Sequence, residues 1–228
     1  MRAAPHRDEA ARLSALKAYG ILDTPQETDF DDIVALAAQI CDMPVALVTL
    51  LDEDRQWFKA KVGTDLPGTS RDVSFCAHGI LQPEEVVQVP DATLDERFRD
   101  NPLVTGELGV RFYAGVAFKT PEGLPLGTLC VLDTKPRELT DLQKNTLRTL
   151  ARQVMAQLEL RRQARQIEEE RVRFRNLLDD MPAHVVVLEG PEFRYEFGNR
   201  AFREFVGGDE IAGKMVGEAW DVPDELPK

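Results

Sequence analysis

Phe112-Tyr113-Ala114-Gly115-Val116-Ala117-Phe118-Lys119, a turn at Glu122-Gly123, then Leu126-Gly127-Thr128-Leu129-Cys130-Val131-Leu132-Asp133: this stretch decides the fold. Both runs are apolar, short and bounded by turn residues, which predicts two neighbouring antiparallel strands. Upstream, Val86–Val89 reads as another strand. Val45–Leu51 is almost wholly apolar, as expected of a central strand covered on both faces. Asp52-Glu53-Asp54 makes a turn, and Trp57–Val62 returns as the hairpin partner. Ser74–Leu81 reads as a short helix between these groups.

Helices flank the strands. The first is expected near Asp8–Tyr19, with Leu13 and Leu16 inward and Gly20 as its stop. Thr24-Pro25-Gln26-Glu27 predicts a capping box with Pro at the first helical position. Phe30, Ile33, Val34, Ala37, Ile40 and Cys41 follow on one helical face, and Pro44 closes the helix. Runs of helices and strands in this order indicate an α+β domain with an antiparallel sheet, not alternating βαβ units.

A second part is one long helix. Thr140 and Gln143 make a capping box, and Leu147, Leu150, Ala151, Val154 and Leu158 form an apolar stripe. No Gly or Pro interrupts before Met181-Pro182, so the helix is expected to run about 40 residues. Leu160, Ala164, Ile167, Arg171, Phe174 and Leu178 then alternate at 4/3 spacing, a short coiled-coil seam. The bland reading of the same pattern is a solvated helix docked on its own domain. In the third part, Val185–Leu188 and Phe193–Phe197 read as strands around a turn at Glu189-Gly190-Pro191-Glu192. Asn199 is placed to cap a last helix with Phe202, Phe205 and Val206 inward.

Composition narrows the function classes. The chain has 228 residues and a net charge of −12, which argues against a nucleic-acid or anionic-membrane partner. Three cysteines give no disulfide framework and suit a reducing cytoplasm. The start lacks the apolar core of a signal peptide, and no apolar run approaches the ~18 residues of a membrane span, so a cytoplasmic location is expected.

Three sets of residues carry a resemblance. Arg12-Leu13, Tyr19-Gly20-Ile21-Leu22-Asp23-Thr24-Pro25 and Asp54-Arg55-Gln56-Trp57-Phe58-Lys59-Ala60 form the first. Ser70-Arg71, Ser74-Phe75-Cys76-Ala77-His78 and Val89-Pro90-Asp91-Ala92 form the second. Phe112-Tyr113-Ala114-Gly115 and Gly127-Thr128-Leu129-Cys130-Val131-Leu132-Asp133 form the third. Together they resemble a GAF domain of bacterial sensor proteins. From about Phe174, Leu177-Leu178, Met181-Pro182, Gly198-Asn199-Arg200-Ala201-Phe202 and Val206-Gly207 look like the first half of a PAS domain. The expected organisation is a GAF domain over 8–160, a helical linker with coiled-coil spacing over 161–181, and a partial PAS domain over 182–228.

The resemblance implies a sensory input module. It would bind a small ligand or partner in the GAF cup and relay a change through the long helix to a kinase or cyclase output, most simply a histidine kinase. A parallel homodimer is expected through Thr140 to Asp180. The competing reading is an interaction adaptor that uses no ligand. No cofactor is named by the sequence. A reductase of the free-methionine-sulfoxide type, also built on a GAF fold, would want several cysteines around the cup; Cys76 and Cys130 could approach each other, but Cys41 lies on the second helix.

Ligand-binding candidates are Arg71, Cys76, His78, Phe112, Tyr113, Cys130 and Asp133, at strand or loop ends that would border the cup. Cys76 and His78 stand at i and i+2, so on a helix their side chains diverge. Neither zinc-ligand spacing nor a catalytic motif is present, so neither a metal site nor an enzyme is expected. Arg71 suits an anionic ligand or an acidic neighbour such as Asp133. Trp57-Phe58 suits hairpin packing better than a stacking platform. Gly207-Gly208-Asp209-Glu210-Ile211 looks like the signature of a diguanylate cyclase, but its context favours a simple helix end.

Overall fold

In the computed structural model, residues 2–206 and 211–216 are described. The chain divides into two compact units between Arg162 and Gln163. The cyclase-like Gly207–Glu210 lies outside the described residues, as does Gly207 of the PAS-like pattern.

The first unit opens with α1 (Glu9–Tyr19) and α2 (Thr28–Cys41). Gly20 adopts the left-handed conformation (φ 55°) that ends α1, a geometry glycine accepts without strain. Six strands follow: β1 (Val45–Leu51), β2 (Arg55–Val62), β3 (Gly68–Ser70), β4 (Val86–Val89), β5 (Phe112–Lys119) and β6 (Pro125–Asp133). They pair in the order β3-β2-β1-β6-β5-β4, antiparallel throughout. The first and last long strands therefore meet at the sheet centre, which explains why β1, β5 and β6 are nearly continuous in apolar residues. The short strand β3 and the turn of helix α4 (Pro102–Thr105) are too brief for periodicity to signal. Between them α3 (Phe75–Gly79) is capped by Ser74, whose hydroxyl accepts from the Ala77 amide at 3.0 Å.

Alternate residues of the strands feed two separate cores. Ala46, Val48, Leu50, Phe112, Ala114, Val116, Leu129 and Val131 face α1, α2 and the start of α5 (Asp141–Asp179). Leu47, Leu51, Phe58, Tyr113 and Cys130 face α3 and the loops around it. A bulge keeps this sorting consistent in β2: Thr49 pairs with Phe58 but Val48 with Ala60, leaving Lys59 as the extra residue.

Lys59 corrects one expectation. Thr24–Glu27 does not cap α2, which begins at Thr28 with no side-chain cap. Instead Thr24 Oγ1, the Pro25 carbonyl and Glu27 Oε1 accept from the fully buried Lys59 ammonium at 3.1, 2.5 and 2.6 Å. A buried cation without acceptors is far costlier than an uncapped helix, so the cation takes them. Ile40, expected inward, stands exposed, whereas the rest of its stripe is buried. The Thr140–Gln143 capping box forms as read: the Gln143 amide donates to Thr140 Oγ1 at 3.3 Å and the Thr140 amide to Gln143 Oε1 at 3.0 Å.

Along α5, Leu147, Leu150, Ala151, Val154 and Leu158 are buried, while Leu160, Ile167 and Phe174 are exposed. The second unit holds the antiparallel pair β7 (Val186–Glu189) and β8 (Arg194–Gly198), then α6 (Arg200–Val206). Asn199 organises it. Its side chain donates to the carbonyls of Leu178, Met181 and Ala183 and accepts from the amides of Val185 and Phe202. Phe202 is buried as expected, but Phe205 is exposed and stacks on His184 at 4.6 Å.

Candidate functional site

The site is a cavity of about 280 Å³ on the α3 side of the six-stranded sheet. Its walls are Leu47 of β1, Phe58 of β2, Phe75 of α3 and Leu132 of β6. Its floor holds Gln56, Cys76, Tyr113 and Cys130, and it reaches the surface at exposed Leu66 and Leu108. Among the described residues that line it there is no Arg or Lys, and Asp133 is the one carboxylate.

The floor is a sulfur-centred polar cluster in an apolar surround. Cys76 Sγ lies 3.6 Å from Cys130 Sγ. Gln56 Nε2 donates to Cys76 Sγ at 3.2 Å, and the Tyr113 hydroxyl donates at 3.5 Å. Thr49 and Thr128, whose hydroxyls are 3.2 Å apart, stand beside the same sulfur. Burial pushes the Cys76 thiol up, but the donors Cys130, Thr128, Thr49 and Tyr113 outweigh it and hold the thiol below its ordinary range. Burial and the neighbouring Cys76 push Cys130 the other way, so the surroundings favour the thiolate on Cys76 over one on Cys130. Burial, then the neighbouring Cys76, raise the Tyr113 phenol well above its ordinary range. Gly115 and Gly79 make room for that phenol: a Cβ on Gly115 would lie 2.2 Å from its oxygen, and one on Gly79 3.1 Å.

Four of the seven candidates border this cavity: Cys76, Tyr113, Cys130 and Asp133. Three do not. Phe112 is one residue from Tyr113 in a strand, so it points to the opposite face and is buried against the helices. His78 diverges from Cys76 around α3 and packs edge-on against Phe98 at 4.8 Å. Arg71 pairs with Glu9, not Asp133, at 2.7 Å, and donates to the Asp52 carbonyl at 3.0 Å. Asp133 accepts from Arg137 Nε at 2.7 Å instead. The Trp57-Phe58 pair splits, Trp57 toward the helices and Phe58 into the cavity wall. Gln56, Thr49 and Thr128 were not foreseen; the one signal for the two threonines is a polar residue inside a largely apolar strand, and Gln56, in the mixed strand β2, has none.

Among the described residues no three His, Cys, Asp or Glu side chains come together as a metal site, and no helix is long and apolar enough to cross a membrane.

Comparison with known proteins places the fold. Free methionine-R-sulfoxide reductase from Neisseria meningitidis superposes with a TM-score of 0.50 at 17% identity, covering 72% of this chain and 99% of that one. The chromophore-binding domain of a bacteriophytochrome from R. palustris also gives 0.50, at 11% identity, over 72% of this chain and 65% of its own. At such identities the likeness is one of fold alone. A cyclic di-GMP phosphodiesterase of Pseudomonas aeruginosa is 44% identical over 163 residues, which is 71% of this chain and 28% of that protein. The chain thus spans less than a third of that relative's length. The model of the GAF domain matches residues 26–158, more than half of the chain and all of the sheet that carries the cavity, so the chain belongs to the GAF family.

Proposed function

We propose that this chain is a sensory input module whose GAF cup takes an uncharged, mainly apolar small molecule. The carrying observation is the cavity itself: apolar walls, hydrogen-bonding groups only on its floor and near its rim, and no cationic side chain among its described lining residues. A pocket of that make-up rewards burial of an apolar body and one well-placed polar group. An anionic ligand would find no partner there, since Arg71 is engaged by Glu9. A volume of about 280 Å³ suits a compact molecule and is small for a tetrapyrrole or a dinucleotide.

The output we propose is an enzyme of cyclic-dinucleotide turnover, in place of the histidine kinase suggested by the motifs alone. The reading is supported by the 44% identical phosphodiesterase, whose length leaves room for further domains. Relay runs through α5, where exposed Leu160, Ile167 and Phe174, each one heptad from the next, support a parallel homodimer. No catalytic role is proposed for this chain.

Native mass spectrometry of the purified chain tests the cup, with indole titration as an apolar probe. A bound neutral species, or saturable indole uptake lost in Leu108→Trp, is expected. A chain that carries nothing and takes up no indole would return the adaptor reading.

A further inference from the structure

We propose that Cys76 and Cys130 form a peroxide-driven dithiol–disulfide switch in the floor of the cup. The two sulfurs are 3.6 Å apart, on α3 and β6, so a modest approach makes the bond. They belong to elements 54 residues apart in the chain, and the bond would tie α3 to the centre of the sheet. Both line a cavity that opens at Leu66 and Leu108, so a molecule as small as hydrogen peroxide can reach them. Reactive cysteines need thiolate character and access, and the floor supplies both. Gln56 and Tyr113 point donors at Cys76 Sγ, and Gly79 and Gly115 are shaped around the tyrosine hydroxyl that does so. Cys41 is the internal contrast: it lies in the helix-side core, and burial alone pushes its thiol up to about 11.

The chemistry balances with a peroxide as the oxidant. The Cys76 thiolate attacks one peroxide oxygen, the O–O bond breaks, and one water leaves after proton uptake. The sulfur is oxidised by two electrons to a sulfenic acid and the peroxide is reduced. Cys130 then attacks that sulfur; the S–S bond forms, the S–O bond breaks, and the departing hydroxide takes the Cys130 proton as a second water. A dithiol reductant reverses the bond by exchange. Oxidation removes the thiolate that Gln56 and Tyr113 address, so the polar floor of the cup changes with redox state. The switch does not rest on the ligand reading, because it needs no occupant in the cup.

The test exposes the full reduced chain to hydrogen peroxide and follows intact mass and unreduced peptide maps. The expected result is loss of two hydrogens, a peptide joining residues 76 and 130, and Cys41 still open to alkylation. In Cys130→Ser the reaction should stop at a sulfenic acid on residue 76, captured by dimedone. In Cys76→Ser the loss of free Cys130 should slow at least about tenfold. Wild-type protein whose Cys76 and Cys130 both stay alkylatable, or whose Cys76 gains oxygen without joining Cys130, would overturn the proposal. The wild-type mass measurement stands even where a variant fails to fold.

Discussion

The two faces of the six-stranded sheet are made from alternate residues of the same strands, yet they do different work. Toward α1, α2 and α5 the sheet presents Phe112, Ala114, Val116, Leu129 and Val131, closed over by helices. Toward α3 it presents Thr49, Tyr113, Thr128 and Cys130, with Gln56 beside them and a cavity between. Helices α1, α2 and α5 cover the first face and bury it. Short elements cover the second: α3 spans five residues and α4 four, joined by loops, and their gaps leave the cup. Continuous apolar packing lies on one face and the cavity with its sulfur cluster on the other, within a sheet one residue thick.

That contrast can be broken by experiment. The largest effect is expected from Phe112→Ala, which empties a fully buried site on the helix face and should cost roughly 3–5 kcal/mol. Chemical denaturation would measure it; a loss below about 1 kcal/mol would show that the helix face is not the stability core.

Next comes the clasp at the β1–β2 turn. Arg12, fully buried, donates to Glu9 and to the Leu51 carbonyl, and Arg71 donates to the same carboxylate. Partial burial pushes the Glu9 carboxyl up, but the hydrogen bonds of Arg71 and Arg12, the Arg12 charge and the His6 amide bring it down to about 2. A depressed carboxylate stabilises the fold above its unfolded value near 4.5, and that stability fades as pH falls toward 2. Glu9→Gln should cost on the order of 3 kcal/mol at neutral pH and flatten the acid limb of the stability profile. An unchanged profile between pH 5 and 2 would assign acid sensitivity elsewhere.

A smaller effect separates the helix face from its closing element. Thr140→Ala removes the cap of α5 and should cost about 1 kcal/mol. A midpoint of denaturation that does not move would mean the helix is held by its buried stripe alone. Smallest in stability is Tyr113→Phe on the cup face, at about 1 kcal/mol, since Cys76 Sγ keeps Gln56 Nε2 as a donor when the hydroxyl is removed. Its signature is chemical instead: thiol titration of Cys76 should shift upward. A shift without a stability loss would sharpen the division between the faces.

The strand bounds at Val45–Leu51, Val86–Val89 and Phe112–Lys119 were legible because apolar runs between turn residues are a local signal. The α5 capping box was legible for the same reason. Thr24–Glu27 misled because an identical local pattern serves either a helix cap or a buried cation, and only the position of Lys59 chooses between them.

Amino-acid order by itself determined the α+β class, the long helix and the assignment of Cys76 to a short helix and of Tyr113 and Cys130 to strands. Tertiary structure alone decided which of them share a cavity. The side-chain period of a strand is two, so adjacent Phe112 and Tyr113 part to opposite faces, while Cys76 and Cys130, distant in sequence, meet at 3.6 Å. Strand order and pairing register set those meetings, and both are long-range properties that no local pattern encodes.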